Sequence, residues 1–556
     1  MTAEEFKNRF NSTSKSLRYK RRIIEHIIDE GPETLPILSR KLELSVPTTS
    51  KYVNEMIDGG LMRSYGKLET SGGRHPFLFG LDPTNVYFLG VDFTQGKMHM
   101  MMMDFCGDQV QEVMDIPFKF ENTPECLEEI CQRIDHYIDH ESTVKRKDLV
   151  SIGLNLFGRI NPETGSSYTY FNFSERPLGE ILTERFRIPV WVDNDSRASA
   201  YGEYMTHIRE EGRNILYINV TWGLGLGIII DGKPYAGKSG FSGELGHIHA
   251  FENEVLCHCG KKGCLETEAS GSAMYRKFQE RIAQGDTSTL TSPDGPFGIT
   301  NPEDVTLDLL IDATQREDIL CIDILEEIGN NLGMHIAGLI NLFNPDFVII
   351  GGQLANTGDY FMQPLKTAIR KYSLNMVSQD TKLRRSLLMR YAGVVGACML
   401  ARKKSIEHLT DSEEDEAKAP SLHIGHTVIR VSGNYIKEEE LHEYALPPLF
   451  SPLRTDIGLR KNLSVIVRSL LTYRSSRSRE GHQTTPTNLT VRSLHQVRTP
   501  RSAISRLGRV GRAGRGGDVS RFSHNHSLHS AGICAWACIL NIQDNFATFV
   551  AGCGTL

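Results

Sequence analysis

The sequence predicts an α/β protein that opens with a winged helix-turn-helix. Three observations carry this. Three short helical patterns precede a Gly59-Gly60 stop and a basic turn. Apolar strands then alternate with helical stretches from about Asn85 to Lys403, the pattern of an α/β chain. Carboxylates and glycines fall at the ends of those strands, where such folds hold ligands. At 556 residues the chain is too long for one core, so several domains are expected.

The first helical pattern is "LRYKRRIIEHIIDEG", with Ile23, Ile24, Ile27 and Ile28 at helical spacing and a stop at Gly31-Pro32. "TLPILSRKLEL" repeats it with Leu35, Leu38 and Leu42; Thr34 is the expected cap and Pro36 lies in the first turn, where proline is tolerated. In "SVPTTSKYVNEMIDGG" Ser45 is the cap, and Val46, Val53, Met56 and Ile57 are expected to face inward. Thr48, Thr49, Lys51, Tyr52 and Asn54 are expected outward, side chains of the kind that meet base edges and phosphates. The wing follows in "LMRSYGKLETSGGRHPFLFGLDP", with Arg74 and His75 at its tip. Residues 1–83 therefore read as a DNA-binding domain, with Ser45, Thr48, Thr49, Lys51, Tyr52 and Arg74 as candidate DNA contacts. The plainer alternative is a three-helix bundle that contacts proteins.

Residues 84–405 form the α/β part. "VYFLGVDFTQGKMHMMMMDFCGDQVQEVMDIPF" reads as a three-stranded meander, its methionines Met98 and Met100 to Met103 serving as core filler and not as a metal-binding row. "LVSIGLNLFG" is a strand, and "IPVWVDNDSRASAYGEY" a strand running into a helix. "ILYINVTWGLGLGIIIDGK" is a glycine-punctuated hairpin, and "IAGLINLFNPDFVIIGGQL" a helix, a strand and a Gly351-Gly352 turn. Residues 406–461 read as a linker that begins with a charge run. Residues 462–556 hold twelve arginines, Arg468 to Arg521, and no lysine, with neither helical nor strand periodicity. That composition suits an Arg/Gly-rich nucleic-acid tail, or a disordered or read-through end never selected as protein, which is the reading adopted.

Bulk properties narrow the class. The apolar fraction of 40% and charged fraction of 23% are ordinary for a globular protein. A formal charge of −6 excludes a wholly basic nucleic-acid coat but leaves room for a local basic face. The first thirty residues are charged throughout, unlike a secretory signal, and no apolar run approaches the ~20 residues of a membrane helix. Cys106, Cys126, Cys131, Cys321 and Cys398 are scattered singly, which fits a reducing cytoplasm and argues against a disulfide framework. Cys257, Cys259 and Cys264 differ, because they sit in one glycine-containing loop just after a histidine. Three thiolates and one imidazole describe a closed, structural zinc site, with His247, His249 and His258 competing for the fourth position.

The run "GELGHI…CHCGKKGCLETEAS" resembles the signature of the ROK family of repressors, open reading frames and sugar kinases, and the likeness extends over residues 15 to 405. It implies a two-lobed actin-like (ribonuclease H-like) sugar-kinase fold. It also implies that zinc is held by His247, Cys257, Cys259 and Cys264. The family's sugar contacts would fall on Gly158, Arg159, Asn194, Asp195, Glu244, His247 and Glu266, and in a kinase Asp195 would be the general base. Nucleotide would be held by Asp92, Lys97, Gly223, Gly225, Gly351 and Gly352. One departure stands out. Where ROK kinases have Asp-x-Gly-Gly-Thr-Lys, this chain has "VDFTQGK", so Thr94 and Gln95 replace the glycines whose backbone N–H groups approach phosphate.

Two functions follow from this mixture. One is a sugar-responsive repressor, cytoplasmic, binding operator DNA and a sugar or sugar-phosphate effector as a homodimer or homotetramer. The other is an ATP- and Mg-dependent sugar kinase with an accessory N-terminal domain. The degenerate first phosphate loop favours the repressor.

Overall fold

The computed structural model describes residues 1–409 apart from 11–13, 68–75, 293–295, 298 and 300, together with 421–424 and 427–430. The N-terminal head begins with α1, Ala3–Asn8, which the sequence analysis missed. Its signal was present: Thr2 accepts from the Glu5 N–H and Glu5 accepts from the Thr2 N–H, a reciprocal capping box. There follow α2 Ser14–Glu30, β1 Glu33–Thr34, α3 Leu35–Leu42, α4 Val46–Asp58, β2 Met62–Lys67 and β3 Phe77–Leu81. The three strands pair in the order β1-β3-β2 and make the wing.

Several expectations in the head need correction. Thr34 makes no side-chain cap to α3; it lies in β1, opposite Leu78, and is buried there. Thr49, expected to face DNA, is fully buried and donates its hydroxyl to Ser45 O at 3.1 Å. It precedes Val53 by four residues and Met56 by seven, which is one face of a helix. Tyr52, also expected outward, is half-buried and stacked on Tyr19 with ring centroids 6.1 Å apart. Val46 shows the opposite error and is 45% exposed. Ser45 does cap α4, accepting from the Thr48 N–H, and Lys51 and Asn54 stand exposed. Arg74 and His75 lie outside the described residues.

The α/β part contains β4 Tyr87–Thr94, β5 Lys97–Asp104, β6 Gln109–Pro117, α5 Pro124–His136, β7 Leu149–Leu156, β8 Ile160–Asn161, β9 Ser166–Ser167, α6 Leu178–Phe186, β10 Val190–Asn194 and α7 Asp195–Glu203. It continues with β11 Ile215–Val220, β12 Leu224–Ile230, β13 Lys233–Pro234, α8 Gly271–Ala283, α9 Leu307–Gln315, α10 Ile319–Phe343, β14 Phe347–Gly351, α11 Asp359–Tyr372, α12 Asn375–Asp380, β15 Lys382–Arg385 and α13 Ala392–Glu407. One sheet has the order β10-β7-β4-β5-β6, the other β13-β12-β11-β14-β15. Each is an antiparallel meander whose first strand is extended by two parallel strands. Two lobes thus repeat one plan, the actin-like sugar-kinase fold.

Met98 and Met100 to Met103 are buried, as core filler should be. Helix α13 is apolar nearly all round and packs against α7, β4 and β7. A Cβ on Gly396 would come within 1.9 Å of Ala198 O, so the two helices touch backbone to backbone. The expected linker at 406–461 starts too early, because Ile406 and Leu409 are buried in the head's core. Residues Met1–Thr410 form one compact unit and Asp411–Leu556 a second. In the second, the described residues are an antiparallel pair, Ser421–Ile424 with Thr427–Arg430; the Arg-rich stretch lies outside the described residues. Among the described residues no helix is long and apolar enough to cross a membrane.

Candidate sugar and metal site

The site lies where β7 and β10 of the first sheet end and the loops after β13 begin. Asp195 starts α7 directly after β10, and Asn194 caps that helix by accepting from the Ser196 and Arg197 N–H groups. The Asn194 amide donates to Gly158 O at 3.0 Å and to Asp195 Oδ1 at 2.9 Å. Its polar groups are spent within the protein, so Asn194 orders its neighbours in this form. Gly158 has φ +80, and Thr169 occupies the space a Cβ would need. Across the site, Arg159 Nε stands 3.9 Å from Glu244 Oε2, and His247 Nε2 lies 3.8 Å from that same oxygen. Gly158, Arg159, Asn194, Asp195, Glu244 and His247 are thus linked through hydrogen bonds, ion pairs and chain neighbours. Glu266 is buried, accepts from the Leu224 N–H at 3.0 Å and meets His258 Nδ1 at 2.8 Å. Burial works against its charge, but those two donors hold its carboxyl below the usual range.

Two carboxyl groups here are raised. Burial lifts Asp195 to about 6 against the opposing hydrogen bonds of Ser196 and Asn194, and lifts Asp92 to about 7 against the Asn155 amide. Asn155 Nδ2 donates to Asp92 Oδ1 and to Gly393 O, both at 2.8 Å, while Asn219 Nδ2 reaches Asp195 Oδ2 at 3.3 Å. The sequence analysis missed both amides. Each is a lone amide inside an apolar strand, "SIGLNLFG" and "YINV", and such a residue needs a polar partner.

The metal cluster is compact. The ligand atoms of His247, Cys257, Cys259 and Cys264 all lie within 4.8 Å of one another. His247 Nδ1 to Cys257 Sγ and Cys259 Sγ to Cys264 Sγ are both 3.6 Å. Ligand bonds of about 2.3 Å in a tetrahedron would put ligands about 3.7 Å apart, so this set can close around one ion. His249 is outside the cluster, and His258, exposed, belongs to an alternative group with His247 and Glu266. Gly263 has φ +72, and a Cβ there would meet Phe251 O at 2.1 Å, so the loop's turn demands glycine.

The residues expected to hold nucleotide are differently disposed. Lys97 lies 3.6 Å from Asp115 and 3.4 Å from Asp308 of α9, which also accepts from Gln353 at 3.1 Å. This contact bridges the two lobes at the first phosphate loop. Gly225 has no open space on its Cα: Ser196 Oγ would be 2.0 Å from a Cβ there, so the glycine lets β12 lie against α7. Gly223 faces Glu266, and beside it the loop carries Trp222, half-exposed and packed on Tyr275. Gly351 and Gly352 turn the chain after β14, where Tyr217 and the Val220 backbone leave no room for a Cβ.

Residues 88–404 match the ROK family, and residues 17–61 match a winged helix-turn-helix DNA-binding family. The chain belongs to the ROK family. It is 28% identical over 381 residues to a xylose repressor of Caldicellulosiruptor bescii, covering 67% of this chain and 92% of the relative. It is 30% identical over 326 residues to a glucokinase of Halalkalibacterium halodurans, covering 57% and 96% respectively. A crystal structure of a ROK family transcriptional regulator, a homolog of the E. coli MLC protein, superposes with a TM-score of 0.59 at 27% identity, covering 71% of this chain and 97% of that one.

Proposed function

We propose that this protein is a sugar-responsive transcriptional repressor of carbohydrate-metabolism genes, acting as a homodimer or homotetramer in the cytoplasm on a pseudo-palindromic operator. One observation carries the choice of repressor over kinase. Thr94 and Gln95 stand where the kinases' first phosphate loop has two glycines, and Lys97 of that loop is paired with Asp308, while the sugar side keeps its polar side chains Arg159, Asp195, Glu244, His247 and Glu266. The xylose-repressor relative, matched over nearly its whole length, supports the same reading. The effector is a sugar or sugar phosphate held by Arg159, Asp195, Glu244, His247 and Glu266, with Gly158 and Asn194 shaping the wall. Zinc on His247, Cys257, Cys259 and Cys264 is structural and pins the loop that presents Glu244 and Glu266. Ser45, Thr48, Lys51 and Asn54 supply the DNA-facing side of α4.

Kinase activity is the second reading, favoured by an Asp195 carboxyl raised to about 6, a useful value for a general base. A panel of pentoses, hexoses, amino sugars and their phosphates, followed by melting temperature and then tested for ATP turnover, separates the two. At least one should stabilise the protein and release it from its own upstream DNA, and Glu244→Ala should abolish both effects. Ligand at 100 times its Kd adds roughly 2.7 kcal/mol, a readily visible shift. Turnover at roughly 1–100 per second, lost in Asp195→Asn, would make the protein an enzyme instead.

A further inference from the structure

Two half-exposed aromatic rings stand at the mouth of the sugar cleft, outside the set of polar ligands. Tyr168 follows β9. Its N–H donates to Arg159 O at 3.0 Å, and Thr169 Oγ1 accepts from the Arg159 N–H at 3.0 Å. The Tyr168 loop is therefore tied to the wall that carries Gly158 and Arg159. Phe241 comes from the opposite side, three residues before Glu244. Beside it, Gly240 O accepts from Arg197 Nη1 at 3.2 Å, and Nη2 of the same guanidinium donates to Ile160 O at 3.2 Å. Arg197 is buried and paired with Asp193, so one fixed cation fastens both walls.

The result is a preset edge-to-face pair. The rings of Tyr168 and Phe241 are 5.1 Å apart between centroids at an interplanar angle of 86°, with 50% and 40% of each residue exposed. The packing of one ring on the other holds their orientation before any ligand arrives. Arg159, bonded to Tyr168 through the backbone, lies 3.9 Å from Glu244, three residues beyond Phe241.

We propose that Tyr168 and Phe241 form a second carbohydrate subsite, which takes a second pyranose ring and makes the effector a disaccharide or larger glycoside. The chemistry of the rim selects this class. A pyranose presents a face of C–H groups that lies on an aromatic ring, while its hydroxyls point outward at the edges and need polar partners. The Tyr168 hydroxyl offers such a partner, as do the side chains of Arg159, across the β8–β9 pair, and Glu244, close by Phe241 in the chain. A plain alkyl group would leave them unmatched. The inference rests on the inner site's being a sugar site.

The test uses the full chain and matched probes: glucose against cellobiose and maltose, xylose against xylobiose, N-acetylglucosamine against chitobiose, each by titration calorimetry. At least one disaccharide should bind about tenfold or more tightly than its own monosaccharide. Phe241→Ala and Tyr168→Ala should each cut that ratio below about threefold while leaving the monosaccharide Kd unchanged. Phe241→Leu keeps the apolar bulk and the fold but removes the flat face, and it should lose the same preference. Equal affinity for both members of every pair overturns the subsite and leaves the inner sugar site standing. So does equal weakening of both ligands by the aromatic variants. The same holds if Phe241→Ala changes the assembly's mass in light scattering without changing sugar selectivity, since the rings would then pack against a second copy. Failure of every sugar to bind removes the inner site, and the subsite with it.

Discussion

Asp92 and Asp195 show how burial rather than sequence sets the chemistry of a residue. Asp92 is enclosed by Asn155 and by the backbone at Gly393, and burial raises its carboxyl from 3.8 to about 7. Between those two values the folded chain keeps a proton that the unfolded chain has released. Stability therefore falls as pH rises through that window, and the loss is complete above about 7. Asp195, also raised by burial, acts in the same direction. Asp92→Asn removes one of the two ionisations while keeping the shape and an oxygen for the Asn155 amide. Its melting temperature relative to wild type should rise from about pH 4 to about pH 7 and level off above that, by differential scanning calorimetry. A difference that does not vary with pH would mean that Asp92 titrates like an exposed carboxyl.

At the scale of elements, the cysteine loop and helix α4 mark what the sequence disclosed and what it hid. The loop was legible because Cys-x-Cys, a third Cys and a nearby His have few uses together, and the structure draws the four side chains into one cluster. Strand and helix order in the lobes was legible too, since long apolar periodic runs leave little choice of element. Thr49 was misassigned because a threonine is polar enough for a surface and small enough for a core; its spacing to Val53 and Met56 was the better guide. Thr34 has the extended backbone of a cap but makes no cap bond; it lies in β1 and pairs across the wing with Leu78, 44 residues on, a contact no local pattern shows. Gly225 was read as a phosphate-loop glycine; the structure adds that it makes room for Ser196 of α7, and no local pattern reveals a helix arriving from elsewhere. For the cysteine loop the expected behaviour is definite. Elemental analysis should find about one zinc per chain, and Cys259→Ser should lose it and lower the melting temperature, because the ion's binding energy is folding energy for the segment it closes. A folded wild-type protein without metal would refute the assignment.

For the unit Met1–Thr410, the consequential feature is that the head's core is continuous with that of the first lobe. Phe6, Phe10, Leu17, Ile23 and Val53 of the head pack in one cluster with Phe88, Phe105 and Val150 of the first lobe and with Ile406 and Leu409 at and just after the end of α13. Phe6 and Phe105 meet edge to face at 6.4 Å, Arg9 donates to Asn85 O at 2.8 Å, and Arg21 donates to Glu407 O at 3.1 Å. At its other end α13 begins with Gly393 against Asp92, and midway it touches α7, the helix that starts at Asp195. One helix thus runs from the ligand cleft to the base of the head, and any shift of α13 caused by ligand would reach the core that α4 shares. Phe105→Ala should cost about 3–5 kcal/mol by opening that shared core. Because the deletion lies under the head, its effects should be unequal. Amide exchange in α2 and α4 should quicken and operator affinity should fall, while sugar still raises the melting temperature of the lobes. If α2 exchange matches wild type in Phe105→Ala, the head stands on a core of its own and the coupling between sugar and DNA must run by some path other than α13.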